Sequence, residues 1–125
     1  MPLPAETANN TAFASAARTA SSNSADIDVR PYLGCKVVID MTVVPGVDTV
    51  TFTVKGKDKL SGKYFTLLAS AAIVAVSTVV LSIYPGAPVT ANVSVNDFLP
   101  DTIRVEAVHS AATSFTYSVN VIAAD

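Results

Sequence analysis

Tryptophan is absent from this 125-residue chain, cysteine and histidine occur once each, and only 14% of the residues are charged. A lone Cys35 cannot close an intramolecular disulfide, so no disulfide framework supports the fold. Lying inside a hydrophobic stretch, it reads as a small buried residue rather than a nucleophile. One Cys and one His fall short of the four ligands a structural zinc site takes. His109 sits at the predicted end of a strand, whereas a histidine-led catalytic site needs a nucleophile and an orienting acid converging on it. No serine lies in a Gly-x-Ser-x-Gly elbow. Without Trp, an aromatic cleft for paired glycosidase carboxylates is also disfavoured. The residues therefore nominate no catalytic group, no metal site and no cofactor, and the chain reads as a non-enzyme.

Basic residues number 8 against 10 acidic ones, a formal net charge of −2. A phosphate-binding surface needs clustered Lys and Arg. The one cluster, Lys55, Lys57, Lys59 and Lys63, is interrupted by Asp58 and reads as a solvated loop tip, so nucleic acid is not an expected partner. The segment Gly56–Tyr64 (GKDKLSGKY) departs from the phosphate-loop pattern in spacing and in the residue after Lys63, and it links strands rather than a strand to a helix. The N-terminus lacks a basic region followed by an apolar run, so no secretory signal is read and assembly in a cytosol is expected. The low charge, against about 25% in ordinary domains, has two readings. Either sister subunits or a larger assembly cover part of the surface, or Ser and Thr coat it.

What the chain has is β-branched and small residues. The uncharged run at 64–84, YFTLLASAAIVAVSTVVLSIY, is long enough to span a bilayer as a helix. Thr66, Ile73, Val74, Val76, Thr78, Val79, Val80 and Ile83 instead favour a pleated surface. The run reads as two buried strands, 63–69 and 73–84, joined by a small-residue turn, and no membrane is expected.

Residues 1–24 form a distinct Ala-, Ser-, Thr- and Asn-rich segment, too poor in large apolar groups to order itself. It reads as an extended arm, with Leu3, Phe13 and Arg18 as its partner-binding anchors. Residues 25–125 read as one domain. A short strand at 26–29 ends at Pro31. Strand 35–44 sets Cys35, Val37, Ile39, Met41 and Val43 on one face; strand 48–57 sets Val50, Phe52 and Val54 inside with period two. After the break at Pro85–Pro88, residues 89–100 form an irregular crossing with a helical turn near 96–99. Ile103, Val105 and Ala107, then Phe115, Tyr117, Val119 and Val121, mark two last strands expected to pair as a hairpin. The fold class is thus all-β: a single jelly-roll-like sandwich of seven or eight antiparallel strands. Asp97 and Asp101 are the only acids placed for a cation and read as turn caps. The sequons at Asn9 and Asn92 read as chance.

The segments ARTA (17–20) into SADIDV (24–29), CKVVIDMT (35–42), VTFTVKGKDKLSGKYFTLL (50–68), VVLSIYPG (79–86), LPDTIRVE (99–106) and FTYSVNV (115–121) resemble head-decoration and minor capsid proteins of tailed bacteriophages. The resemblance covers residues from Ala17 onward. It implies a virion structural protein, assembled in the host cytoplasm, that reinforces the outside of an icosahedral shell. It implies as partners the major capsid protein and further copies of the chain, most simply a trimer. Deleting residues 1–24 would then abolish shell binding and leave a folded domain. The rival readings are a carbohydrate- or receptor-binding jelly roll, with Tyr32, Tyr64, Tyr84 and Tyr117 as candidate sugar platforms, and a tail or connector component.

Overall fold

The computed structural model describes residues 7–124. Leu3 and the first residues of the expected arm lie outside them. Among the described residues the secondary structure is all strand: β1 (Thr7–Arg18), β2 (Ser22–Asn23), β3 (Ile27–Asp28), β4 (Gly34–Val43), β5 (Val50–Lys57), β6 (Tyr64–Ala69), β7 (Ser77–Tyr84), β8 (Ser94–Asn96), β9 (Thr102–His109) and β10 (Phe115–Ala124). They form two packed five-stranded sheets, one in the order β1-β10-β4-β7-β8 and one in the order β2-β9-β5-β6, with β3 also on β9. The fold is an all-β sandwich, as the alternation predicts. Seven strands are long; β2, β3 and β8 span only two or three residues each.

Period-two patterning explains the core. Cys35, Val37, Ile39 and Met41 on β4 and Phe115, Tyr117, Val119, Val121 and Ala123 on β10 face Val50, Phe52 and Val54 on β5 and Ile103, Val105 and Ala107 on β9. Each large apolar side chain buried this way contributes about 1.5–3 kcal/mol over its exposed state. Val43 departs from its row and is exposed at the end of β4.

Pairing departs further from expectation. β9 and β10 do not form a hairpin; they lie in different sheets. Ser110 still bonds Thr49 at the start of β5 through its amide and its hydroxyl. The chain then arches across the end of the sandwich into β10, because β9 is already flanked by β5 on one side and by β2 and β3 on the other. The strands of the uncharged run also separate, β6 into the second sheet and β7 into the first. Between them Ser70 and Ile73 bond the backbone of Phe52 and Val50. Each strand buries one side only: Leu68 on β6, Leu81 and Ile83 on β7. No helical turn forms at 96–99; Ser94–Asn96 is β8, which pairs parallel to β7 rather than antiparallel. After Tyr84 the chain reverses at Gly86 (φ 87°), runs back through 88–93 and re-enters alongside β7 in the same direction.

The expected arm is, from Thr7, a strand of the first sheet. β1 pairs antiparallel with β10 from Thr7↔Ala124 to Arg18↔Phe115. Its register slips between Thr11 and Phe13 and again between Phe13 and Ala16. An inserted residue exchanges the faces of everything beyond it. The first slip turns Phe13, which alternation from Thr11 would point outward, into the core. The second keeps Arg18 on that same inward side. Ordering thus comes from the backbone ladder to β10 plus one large apolar side chain, and a break at residue 24 is not seen in the fold.

Candidate functional site

Two of the three expected anchors meet at one place. Phe13 is 6% exposed and packs edge-on against Tyr117, ring centroids 5.9 Å apart. The Arg18 guanidinium covers both rings, 5.1 Å from Phe13 and 4.8 Å from Tyr117. It donates to the Tyr117 carbonyl at 2.9 Å and to the Ala14 and Ala16 carbonyls at 2.6 and 3.2 Å. These carbonyls lie at the second β1 slip, where a bulge leaves ladder groups unpaired. Phe13 and Arg18 therefore serve the chain's own fold. Alternation does not reveal this, because the bulges break it.

His109 completes the cluster. It continues the inward row Ile103, Val105, Ala107 on β9 and stacks edge-on with Phe115 at 5.5 Å. Its Nε2 lies 2.9 Å from the Tyr117 hydroxyl, and its Nδ1 is buried with no hydrogen-bond partner among the described residues. Burial first, and the nearby Arg18 cation second, push its pKa below the usual histidine value. Its ring partner is a tyrosine hydroxyl, not a serine or a thiol. Cys35 is buried, and desolvation raises its thiol pKa to about 12, far from thiolate chemistry at neutral pH. The buried serines serve backbone groups: Ser24 accepts from Val105 N, Ser70 accepts from Phe52 N and donates to the Ala71 carbonyl, and Ser94 donates to the Pro88 carbonyl.

Lys55 and Lys57 lie on β5, Lys59 and Lys63 in the β5–β6 loop, and the first three are paired. Lys55 meets Glu106 at 3.0 Å, Lys57 meets Asp26 at 2.9 Å and Lys59 meets Asp101 at 3.1 Å. Arg104 also reaches Glu106 and stacks 3.5 Å above the Tyr64 ring, whose hydroxyl donates to Asp26 at 2.6 Å. The Tyr64 and Lys57 bonds hold the Asp26 carboxyl below its usual range. Burial would raise Glu106, yet the bonds from Lys55 and Arg104 leave it lowered. Asp97 accepts from Phe98 N as a turn cap, Asp101 serves Lys59, and among the described residues no three potential ligands gather.

Of the tyrosines named as sugar platforms, Tyr117 is fully buried, Tyr32 packs against the core and Tyr64 is roofed by Arg104. Tyr84 alone is well exposed. It borders a shallow depression of ≈ 460 Å³ with Leu33, Gly34, Lys36, Pro85, Ile122 and Ala124. A second depression of ≈ 380 Å³ lies among Ala72, Val74, Ala75, Ala91 and Val93. No helix among the described residues is long and apolar enough to cross a membrane.

These features define a two-sheet, all-β sandwich whose conspicuous side chains serve packing and whose openings are shallow and apolar. The fold is similar to that of the SPBc2 prophage-derived protein YomS, with a TM-score of 0.62 at 12% identity, covering 100% of this chain and 98% of that one. It is also similar to a chain in the structure of the infectious bursal disease virus Gx strain, with a TM-score of 0.52 at 12% identity, covering 96% of this chain and 32% of that one. No protein-family model and no curated protein matches the chain. At this identity the likeness is one of fold.

Proposed function

We propose that the chain is a virion structural protein that decorates and stabilises the outside of an icosahedral phage capsid, with the major capsid protein as its partner. The observation that carries this reading is a fold matched end to end by a prophage-derived protein. A second likeness, to part of a virus protein, points the same way. Reinforcement asks for a stiff, chemically inert body, and a sandwich whose histidine, cysteine and inward arginine are absorbed in packing suits that task better than catalysis. Because Phe13 and Arg18 are committed to the sandwich, the shell contact is assigned to residues 1–6, with Leu3, and to the outer edge of β1 beside them. An open strand edge can add to a sheet of the capsid protein through main-chain bonds. Copies closed into a ring, most simply a trimer, would multiply weak contacts.

Quantitative mass spectrometry of sedimented particles tests this. A copy number that is a fixed simple fraction of the shell protein's supports decoration. A few copies per particle would move the protein to the tail or connector, and absence from particles would end the reading. A carbohydrate-binding role is favoured by one observation, the exposed Tyr84 beside the larger depression and Lys36. An aromatic face with a polar neighbour suits a sugar ring. A glycan array without hits removes it.

A further inference from the structure

No residue between Lys63 and Asp97 is charged. In the fold this run becomes β6, β7 and β8 with their connections, and β6 packs beside β7 and β8. The charge-free run therefore forms one flank of the sandwich, opposite β1 and β2. More than half of its residues are exposed. At its centre Val74 and Val93 are 57% and 48% exposed beside Ala72, Ala75 and Ala91 around the smaller depression, and Val76, 63% exposed, follows Ala75 in the same segment. The flank also carries the last strand of each sheet, β8 and β6. Thr90 bonds Ser94 through both backbone groups and Asn92 Nδ2 donates to the Ala69 carbonyl, so each edge is covered at one residue and otherwise carries no further strand among the described residues. Exposed edges are normally guarded by charge, especially Lys. β6, YFTLLA, carries none.

We infer that this flank is the surface through which copies of the chain associate. Interfaces that stay closed are apolar and poor in charge at their centres, and a standard one takes about 20–30 residues a side. The uncharged run provides a surface of that size. Charge selects the occupant. Each copy carries a net −2, so approach through the charged faces brings like charges together, whereas two neutral flanks meet without repulsion or charge desolvation. A strongly charged partner finds no complement here. The inference does not depend on the capsid reading, since it concerns the purified chain without particles.

The experiment is sedimentation velocity on the purified full chain over a micromolar concentration series. The variants are Val76→Asp and Val93→Asp, with Val47→Asp as control. Val47 is 64% exposed in the β4–β5 turn, outside the flank. The wild type and V47D should sediment as the same oligomer, and V76D and V93D should associate at least tenfold more weakly. A monomeric wild type, unchanged V76D and V93D, or equal dissociation of V47D would each overturn the inference. Should the flank variants unfold, hydrogen exchange of the wild type decides. Amides of 64–69 and 74–93 must gain protection as concentration rises, and concentration-independent exchange there refutes the surface.

Discussion

Phe13 was expected to be free for a partner, and the structure makes it part of the core. Truncation to alanine measures the difference. Phe13 lies on an edge strand, with Tyr117 against its ring and Arg18 above it. Removing a buried phenylalanine costs about 3–5 kcal/mol, and a site that can relax falls at the low end. An edge strand can close inward, so about 3 kcal/mol is expected for Phe13→Ala. For a domain of this size that lowers Tm by about 10–15 °C. In urea the midpoint should fall by about 1–2 M with an unchanged slope. Unfolding followed by tyrosine fluorescence and by far-ultraviolet circular dichroism should give coincident curves. A loss below about 1 kcal/mol would show that the core closes without β1 and would restore the segment as an arm. The same reasoning reverses the expectation for deleting residues 1–24. That truncation removes Phe13 and Arg18 and bares the edge of β10, so it should leave a strongly destabilised domain.

Arg18→Lys keeps the charge but loses the planar fork that spans the Ala14 and Tyr117 carbonyls. It should cost about 1–2 kcal/mol and speed amide exchange in β1 before the rest of the first sheet; uniform exchange would refute the bulge-clamp role. Gly34→Ala would place a Cβ 2.6 Å from Tyr84 Cβ and 3.0 Å from the Ile83 carbonyl of the neighbouring strand. The backbone there cannot yield cheaply, so a loss of about 1–3 kcal/mol is expected in urea melts, and a neutral result would mean that β4 and β7 can separate. His109 gives a pH dependence. Its folded pKa is lowered and its unfolded value is near 6.5, so the unfolded state binds the proton first. Stability should be full above about pH 6.5 and fall as pH drops below that value toward the lowered folded pKa. Melting temperatures of His109→Gln should stay flat across this window, and a wild-type curve equally flat would disprove the coupling.

The rows on β4, β5, β9 and β10 were legible because a half-buried strand writes its burial as strict alternation, and the core is those rows. Partners were not legible. Nothing in Ser110–Ser114 distinguishes a turn that folds β10 back on β9 from an arch that carries it to the other sheet. That choice is made by β2, β3 and β5 already occupying the edges of β9. β1 was hidden for a different reason. Its bulges break the period, so Phe13 and Arg18 look like isolated groups in a polar segment, and only the register with β10 shows that they face inward together. The uncharged run announced strands through its β-branched residues, but its lack of charge concealed which side of each faces water.

The place of β10 bears on how the molecule comes into being. The strand nearest the C-terminus lies between β1 and β4, so the first sheet is divided until it arrives. During synthesis β1 has no neighbour to bond, and β4 waits with one bare edge while the rest of the chain is made. Closing that sheet joins segments far apart along the chain, the slow kind of contact. A chain in which β10 has not yet docked leaves β1 and β4 with open edges, exposed to mispairing with other copies.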